Sequence, residues 1–384
     1  MSRKLKIVIA THGTVGSLEP LFGLSKALRA RGHAPVFAAP EPLASRARAI
    51  DETISLVTPS AERQLGFMVA KEDQALAYLK AQLPATPAYF QQLRPLVERA
   101  DVLVGFPFFL ATTMVRDAVQ TPFVSLHFNP FFELTSKNVQ KAMEALINPV
   151  RLELGLPTVT DPLGVDSVSK ELALFLVSPS VFQAPKRWTA NRKIVGYLFH
   201  DDPTPPSDEL KKFVESGEPP VVVSLGSVIH ADPDRITATL IEALTTAGVR
   251  AVLQRGWSGL GHITAPSSVF VAEFVPHSWL VPRASVVVHA GGAGTMAATL
   301  RAGLPAVVVP HVNDQPLWAA LVQSKRCGVV VPFQKLTASA LADGLRATID
   351  QPSYREHARA LASRLALEQA AETACDLIES VARP

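Results

Sequence analysis

The chain has 384 residues, which is enough for two domains of ordinary size. Hydrophobic residues make up 48% and charged residues 18%, and the formal net charge is only +3, which excludes a disordered chain and a nucleic-acid binder. The two cysteines, Cys327 and Cys375, have no metal-ligand spacing, which excludes a zinc cluster and a disulfide scaffold and indicates a reducing compartment.

The start of the chain predicts neither a secretion signal nor a membrane span. The apolar run at residues 5–10 is shorter than the hydrophobic region of a signal peptide, and a polar turn follows it. No later segment approaches the roughly 20 apolar residues that cross a bilayer, since Pro107 interrupts the most apolar one, 102–115. We expect a cytoplasmic protein without a transmembrane segment; contact with a membrane surface stays open.

The first half predicts strands that alternate with helices. Leucines recur at helical spacing from Leu18 to Leu28, and Gly32 ends that helix. Apolar runs typical of strands lie before and after it and again further on, at residues 5–10, 36–39, 102–105 and 123–126. Strand, helix and strand at this spacing form a βαβ unit, so we expect a parallel sheet.

The second half restarts the same rhythm after a polar, proline-rich stretch at 201–220, which is typical of an interdomain linker. Further strands are predicted at residues 221–226, 251–253, 269–271, 285–288 and 306–309, and the pattern at 354–381 predicts one or two helices. We therefore expect two Rossmann-like parallel-sheet domains, at 1–200 and 221–365, which face each other across a cleft.

The segment after the predicted strand at 285–288 is the strongest candidate for a ligand site. Parallel sheets bind ligands beyond the carboxyl ends of their strands. The segment opens a helix and contains His289, Gly291, Gly292, Gly294 and Thr295. Glycines allow close approach of the backbone, and a helix N-terminus offers free N–H groups to a phosphate. A tight turn without a ligand is the alternative.

Other phosphate and metal signatures fail or are weak. The P-loop pattern is absent, and the first strand-to-helix turn, at 13–16, lacks the G-x-G-x-x-G spacing. A nicotinamide-dependent oxidoreductase is therefore a minor hypothesis. Asp232 and Asp234 form a D-x-D pattern, but their place between a strand and a helix favours a turn and a helix cap. We expect no required metal.

Four blocks of the second half together resemble the nucleotide-sugar site of family-1 glycosyltransferases with the GT-B fold. They lie at residues 274–280, 289–295, 302–305 and 310–315, and their order and spacing are matched. The likeness is greatest to the bacterial natural-product and sterol or glycolipid branch, and it covers residues 221–331 well. In the first half it is confined mainly to 13–33.

The resemblance implies a role for each matched residue. The diphosphate would be held by His289, Gly292, Gly294 and Thr295, with Ser227 reaching it from the other side. Val275 and His277 would contact the base, with Trp257 as a wall, and Asp314 and Gln315 would bind the sugar hydroxyls. For Asp314 and Gln315 alone, a helix cap is an equal alternative. Ala297 replaces a ribose-binding glutamate of many relatives, which leaves UDP or TDP open.

The resemblance also implies an architecture and a reaction. Domain 1–200 would bind the acceptor, domain 221–365 the nucleotide sugar, and the helix at 366–384 would pack back on the first domain. A hexose would move, with inversion, from a UDP- or TDP-sugar to a hydroxyl of a small lipophilic or aromatic natural product or lipid. The sugar nucleotide is the co-substrate, and no cofactor is implied.

The sequence departs from the family at the general base. Relatives carry a His or Asp where this chain has Ser17, whose residue type and place predict an N-cap of the helix at 18–30. A hydroxyl without its own base cannot deprotonate an acceptor near neutral pH. His12 on the same loop, His127 after the strand at 123–126, or an acceptor acidic enough to need no base would solve this problem.

Phenylalanine-rich segments suggest where an acceptor binds. Phe108 and Phe132 lie in apolar, loop-prone stretches that we interpret as a pocket for a lipophilic or aromatic aglycone, with ordinary core as the alternative. A nucleotide-sugar epimerase and a non-catalytic nucleotide-sugar-binding protein are the rival functions. Both would use the same donor residues without an acceptor reaction.

Overall fold

The computed structural model describes residues 3–41, 43–50, 53–56, 67–68, 74–130, 137–256, 259–260 and 263–382. Contacts divide the chain into two compact units. The first contains the described residues of Met1–Leu65, Lys71–Phe199 and Gln369–Pro384, and the second those of Gly66–Ala70 and His200–Glu368. Each unit is built around one parallel sheet, which confirms the predicted α/β class.

The strands, numbered in chain order, are β1 (Lys6–Ala10), β2 (Ala34–Pro40), β3 (Thr53–Leu56), β4 (Phe67–Met68), β5 (Val102–Gly105), β6 (Phe123–His127), β7 (Leu172–Phe175), β8 (Arg192–Ile194), β9 (Val221–Ser224), β10 (Val228–Ile229), β11 (Ala251–Gln254), β12 (Val269–Ala272), β13 (Val286–His289), β14 (Ala306–Val308) and β15 (Gly328–Val330). Among the described residues, the first unit has the sheet order β3-β2-β1-β5-β6-β7-β8, and the second has β12-β11-β9-β13-β14-β15. The short strands β4 and β10 pair in parallel within the second unit.

The helices are α1 (Val15–Ala30), α2 (Leu43–Arg48), α3 (Gln74–Gln82), α4 (Thr86–Glu98), α5 (Leu110–Ala118), α6 (Lys137–Glu153), α7 (Asp208–Glu215), α8 (Pro233–Ala247), α9 (His277–Leu280), α10 (Ala293–Arg301), α11 (Gln315–Ser324), α12 (Ala338–Asp350), α13 (Pro352–Leu365) and α14 (Ala370–Val381). Within the described ranges, no helix combines the length and the apolar character that crossing a bilayer requires.

The core of the first unit lies on both faces of its sheet. Successive side chains of a strand point to opposite faces, so Ile7 and Ile9 pack with α1 and α14, whereas Val8 and Ala10 pack with α4 and α5. A sheet that is buried on both faces needs continuous apolar strands rather than alternating ones. The run at residues 7–10 therefore reads as apolar throughout.

The second unit follows the same rule around its own sheet. Val221 and Val223 of β9 belong to a cluster that includes residues of α8 and α12, and Val222 faces a cluster that includes residues of α7 and α9. The loops that follow β9, β13 and β14 leave the sheet at the carboxyl ends of three adjacent parallel strands. This arrangement brings the predicted donor residues to one edge.

Two local predictions differ from the structure. Helix α1 begins at Val15 rather than Leu18, because Thr14, not Ser17, takes the extended backbone conformation of the N-cap. The segment 201–220, interpreted above as a linker, contains α7, whose Leu210 and Val214 are buried against the second sheet. Two buried side chains on one face of a short helix anchor it to that unit, whereas a spacer would leave them in water.

Candidate functional site

His289 occupies the carboxyl end of the central strand pair of the second sheet. In the register of the parallel ladder it lies beside Ser224 of β9 on one side and Val308 of β14 on the other. The chain leaves all three strands within a few residues of these positions. Loop residues from three strands therefore meet around His289.

The two residues that follow Ala290 form the turn into α10. Gly291 has φ of 92°, and a Cβ atom there would lie 3.1 Å from the backbone oxygen of Gln315, so this position needs glycine. Gly292 is the N-cap, makes no side-chain cap, and has open space around the position of a Cβ. Gly294 is exposed and Thr295 half-buried in the first turn. The first N–H groups of α10 are thus accessible to a ligand.

The imidazole of His289 is fully buried, and its hydrogen bonds fix which nitrogen carries the proton. The Gly291 N–H donates to its Nδ1 at 3.0 Å, so the neutral ring carries its hydrogen on Nε2. Nε2 makes no hydrogen bond within the described part of the chain. Burial, reinforced by the nearby His277, lowers the pKa of His289 to about 3, so the ring is neutral at physiological pH.

Asp314 and Gln315 lie at the start of α11, and their side chains already have protein partners. Asp314 is the N-cap by position but makes no side-chain cap; its Oδ2 accepts a hydrogen bond from the indole N–H of Trp318 at 2.8 Å. Oε1 of Gln315 accepts the backbone N–H groups of His311 (2.9 Å) and Val312 (3.0 Å). These bonds fix both side chains beside the turn at Gly291, and the helix-cap interpretation of Asp314 is wrong for its side chain.

The remaining donor residues flank this centre. Ser227 is half-buried between β9 and β10, in the turn that begins with Gly226 at φ of 67°. Val275 is buried, and its carbonyl accepts a hydrogen bond from Nε2 of Gln254 at 2.8 Å. His277 is the first residue of α9, and burial lowers its pKa to about 4. Trp257 lies outside the described residues.

Ser17 and His12 belong to the loop and first helical turn after β1. The Ser17 hydroxyl donates to the carbonyl of Thr14 at 2.6 Å and lies 3.3 Å from the carbonyl of His12. The His12 ring is buried, stacks on Phe109 with ring centroids 5.2 Å apart, and meets Tyr89 edge-on at 6.5 Å. Ser17 thus closes the loop, and aromatic rings hold the His12 imidazole in place.

His127 is the last residue of β6 and lies inside the first unit. Its Nε2 is 3.0 Å from Ser125 Oγ, and its ring stacks on Phe175 at 4.6 Å. Burial, together with the positive charge of Arg192, lowers the pKa of His127 to about 3. An imidazole that resists protonation this strongly is a poor general base near neutral pH.

The structure describes one of the two predicted acceptor-pocket residues. Phe108 is half-buried, its ring lies 5.2 Å from that of Phe106, and Phe106 lies 5.0 Å from Phe128. These three rings form an aromatic group beside the carboxyl ends of β5 and β6. Phe132 lies outside the described residues.

Two histidines near the donor loops received no role from the sequence. His230 follows β10, His311 follows β14, and their ring centroids are 5.1 Å apart. Both residues are buried, and each has a relative solvent exposure of 7%. Only the block at 310–315 pointed to His311, and nothing in the sequence paired it with His230, 81 positions earlier. Asp232, by contrast, caps α8 as predicted, by accepting the Arg235 N–H.

Comparisons with known proteins identify the family. Residues 233–379 match the model of the C-terminal domain of erythromycin biosynthesis protein CIII-like proteins. The chain is 31% identical to O-mycaminosyltylonolide 6-deoxyallosyltransferase of Streptomyces fradiae, over 98% of this chain and 97% of that protein. The crystal structure of the kitacinnamycin glycotransferase superposes with a TM-score of 0.78 at 21% identity, covering both chains fully.

A further solved structure, glycosyltransferase VinC in complex with dTDP, has a TM-score of 0.74 at 16% identity and covers 98% of this chain and 99% of its own. Likeness at such low identity shows the fold, which is the GT-B fold, and the Streptomyces fradiae relative shows the family. The chain belongs to the family of natural-product glycosyltransferases with the GT-B fold.

Proposed function

We propose that this glycosyltransferase moves a hexose from a UDP- or TDP-sugar to a hydroxyl of a small lipophilic or aromatic natural product or lipid, with inversion at the anomeric carbon. The S. fradiae relative is named for transfer of a deoxyhexose, and VinC, which has the same fold, was solved in complex with dTDP. In a single displacement, the acceptor oxygen attacks the anomeric carbon as the bond to the diphosphate breaks. Negative charge then builds on the departing phosphate oxygen.

The observation that carries this proposal is the buried Nε2–H of His289 beside the N-terminus of α10. Among the described residues it has no acceptor, and an unsatisfied buried donor costs about 1–3 kcal/mol. A diphosphate on the open face of Gly292 would accept this N–H and the first N–H groups of the helix. Donors held rigidly where charge develops stabilise the transition state without reorganisation.

The acceptor's proton requires a base, and we propose His12. Ser17 donates its hydroxyl to a carbonyl, and the lowered pKa of His127 makes that imidazole a weak base. His12 is on the loop that leads to Ser17, the position where the family resemblance places the base, and Phe109 and Tyr89 hold its ring.

Asp314 and Gln315 are proposed to bind the sugar. Gln315 has its oxygen committed to two backbone N–H groups, so its amide nitrogen is the group that remains to donate to a sugar oxygen. The hydrogen bond from the Trp318 indole to Oδ2 of Asp314 orients this carboxylate, and a carboxylate accepts hydroxyl hydrogens well.

Thermal unfolding with UDP, TDP, GDP or NAD tests the nucleotide site. A ligand at 100 times its Kd stabilises the folded protein by about 2.7 kcal/mol, which corresponds to a rise in Tm of about 5–10 °C at 2–4 °C per kcal/mol. We expect UDP or TDP to produce this rise and NAD to produce none. Stabilisation by NAD alone, or by none of the four, would contradict the proposal.

Replacement of His289 tests the role of its donor nitrogen. We expect His289→Ala to lower kcat/KM by about 100-fold or more, the usual loss for one donor to a developing oxyanion, and to weaken UDP or TDP binding. His357→Ala is the matched control, because His357 is an exposed histidine on α13 whose Nδ1 lies 2.6 Å from the Ser353 carbonyl of its own helix. Equal activity of the two variants would refute the assignment.

A further inference from the structure

The second unit contains a compact group of three rings, His230, His311 and Phe333. His311 stacks on Phe333 with ring centroids 4.1 Å apart, and His230 meets His311 edge-on at 5.1 Å and Phe333 at 5.6 Å. Phe333 also ties this group to the loop after β14, since its N–H donates to the carbonyl of Pro310 at 3.3 Å. The two imidazoles are therefore held in one orientation.

The hydrogen bonds of the pair are incomplete. Nδ1 of His311 lies 2.6 Å from the Val309 carbonyl, which can only accept, so the neutral ring carries its hydrogen on Nδ1 and a lone pair on Nε2. Within the part of the chain that the structure describes, Nε2 of His311 and both ring nitrogens of His230 find no partner. Most buried polar atoms in native proteins have partners, so three orphan nitrogens in one place point to a missing group.

The pair adjoins the donor site through direct contacts. The backbone N–H of His311 donates to Oε1 of Gln315, and the backbone of Gln315 packs against Gly291 of the proposed diphosphate turn. His230 follows Ser227 by three residues on the loop between β9 and α8. The two histidines thus belong to the same two loops as the residues proposed to hold the phosphate and the sugar.

We propose that His230 and His311 together bind one hydroxyl group of the donor sugar and so select the sugar. The hydroxyl hydrogen is donated to Nε2 of His311, and the hydroxyl oxygen accepts the N–H of His230. This inference rests on the proposed function, since it assigns a subsite to the sugar nucleotide. Burial lowers the pKa of His311 to about 4, which keeps its Nε2 lone pair available at neutral pH.

The chemistry of the pair favours a hydroxyl over other ligands. A hydroxyl both donates and accepts; Nε2 of His311 offers an acceptor, and the neutral ring of His230 offers one N–H donor and one further acceptor. The described residues contain no group of three or more His, Cys, Asp or Glu side chains arranged to hold a metal ion. A site built to bind a substrate hydroxyl rejects the deoxy analogue strongly, because the buried partners are then left unpaired.

The test measures Kd by calorimetry for UDP, UDP-glucose and the 2-, 3-, 4- and 6-deoxy analogues of UDP-glucose. If the wild-type protein binds TDP-glucose or UDP-galactose more tightly than UDP-glucose, the corresponding TDP or galactose series of deoxy analogues is used instead. The variants are His311→Phe and His230→Phe, which keep an aromatic ring, and His311→Gln, which keeps an acceptor. His357→Phe, on the exposed face of α13, is the matched control.

We expect one deoxy analogue to bind the wild-type protein about tenfold or more weakly than its parent sugar nucleotide, the effect of leaving a buried acceptor unpaired. His311→Phe and His230→Phe should weaken binding of the parent sugar nucleotide by a similar factor and leave the Kd values of that analogue and of free UDP unchanged. This pattern would show that both histidines act on the same hydroxyl. His311→Gln should retain part of the affinity, and His357→Phe all of it.

Three results would contradict either the proposed function or the hydroxyl subsite. If neither UDP nor TDP binds, the proposed function fails. If the nucleotide binds but no deoxy analogue differs from its parent in wild-type protein, the hydroxyl subsite is refuted, even where a variant does not fold. If the variants lower Tm but weaken parent and analogues equally, the pair holds an internal water and not the sugar.

Discussion

Histidine side chains in this protein differ in what their two ring nitrogens can do, and backbone contacts set the difference. The Gly291 N–H makes His289 a donor through Nε2, whereas the Val309 carbonyl makes His311 an acceptor through the same atom. Burial lowers the pKa of both rings, so neither gains charge near pH 7. Identical residues thus present opposite chemistry within one group of loops.

The imidazole of His12, as the proposed base, should be needed for turnover and not for nucleotide binding. We expect His12→Gln to lower kcat by about 100-fold or more, the usual contribution of a positioned base, while Kd for UDP or TDP stays the same. His127→Gln should lower kcat much less. The measurement is steady-state transfer from the preferred sugar nucleotide, compared between an alcohol and a more acidic phenol acceptor. Undiminished kcat in His12→Gln with the alcohol would exclude His12 as the base.

The free energy of unfolding should depend on pH through the buried His127. The pKa of His127 is lowered to about 3 in the folded chain and is about 6.5 when unfolded, so the unfolded state binds more protons between these values. The contribution of the neutral His127 ring to the free energy of unfolding is therefore fully present above pH 6.5 and is lost as the pH falls toward 3. At pH 5 the loss from this one group is about 2 kcal/mol, since each pKa unit is worth about 1.4 kcal/mol.

Urea unfolding between pH 7.5 and pH 5 checks whether the free energy of unfolding falls as the pH falls. We expect His127→Gln to reduce the fall in unfolding free energy over this range, whatever its stability at pH 7.5. His357→Gln, which removes an exposed histidine, should leave the slope of wild-type protein intact. A His127→Gln slope as steep as wild type would show that this imidazole titrates normally.

Among the elements, α14 shows how the end of the chain completes the first unit. Its Ala370, Ala374, Cys375 and Ile378 are buried in the cluster formed by β1 and α1. Polar contacts fix the other face: Arg31 pairs with Asp376 (2.5 Å) and Glu379 (3.1 Å), and His33 Nε2 lies 2.8 Å from Glu379. The hydrogen bond from His33, aided by Arg31, lowers the pKa of Glu379.

The buried face of α14 should matter more for stability than its charges. We expect Ile378→Ala to lower the unfolding free energy by about 2–5 kcal/mol, because it leaves a cavity in the core. Thr373→Ala, an exposed change on the same helix, should stay within about 0.5 kcal/mol of wild type. Denaturant unfolding with a probe in the first unit measures both, and equal values would mean that α14 is not part of this core.

Element positions were predicted well where apolar periodicity is strong. The strand at 102–105 matches β5, and the pattern at 354–381 resolves into α13 and α14, with a break between them. The start of α1 was placed three residues late. The residues at 15–17 are not a periodic apolar run, and the backbone of Thr14, which no pattern reports, sets where the helix begins.

At the scale of the whole molecule, both ends of the chain contribute to the first unit, whereas most of 200–368 forms the second. Each unit buries a parallel sheet on both faces, so the loops at the carboxyl ends are the parts left for chemistry. In the second unit those loops supply a helix N-terminus and neutral imidazoles. Under the proposed function, fixed dipoles and N–H donors in these loops stabilise the charge of the departing diphosphate.

This arrangement leads us to expect transfer without a metal ion. If the helix N-terminus and His289 neutralise the departing diphosphate, an excess of EDTA should leave kcat/KM unchanged, and added Mg²⁺ should not raise it. The measurement is sugar transfer after dialysis against EDTA, with and without Mg²⁺. A loss of activity that Mg²⁺ restores would show that a divalent cation carries part of the charge.

The sequence by itself determined the α/β class, the parallel sheets and the family, because apolar runs, their spacing and the glycine-rich turn are local features. Tertiary structure alone decided which atoms of the site are free. Nε2 of His289 is a donor, and Gln315 has its oxygen engaged, only because particular backbone groups approach them. The pairing of His230 with His311 likewise follows from the sheet order, which places β9 and β14 on either side of β13 although they are distant along the chain, and no local pattern encodes this order.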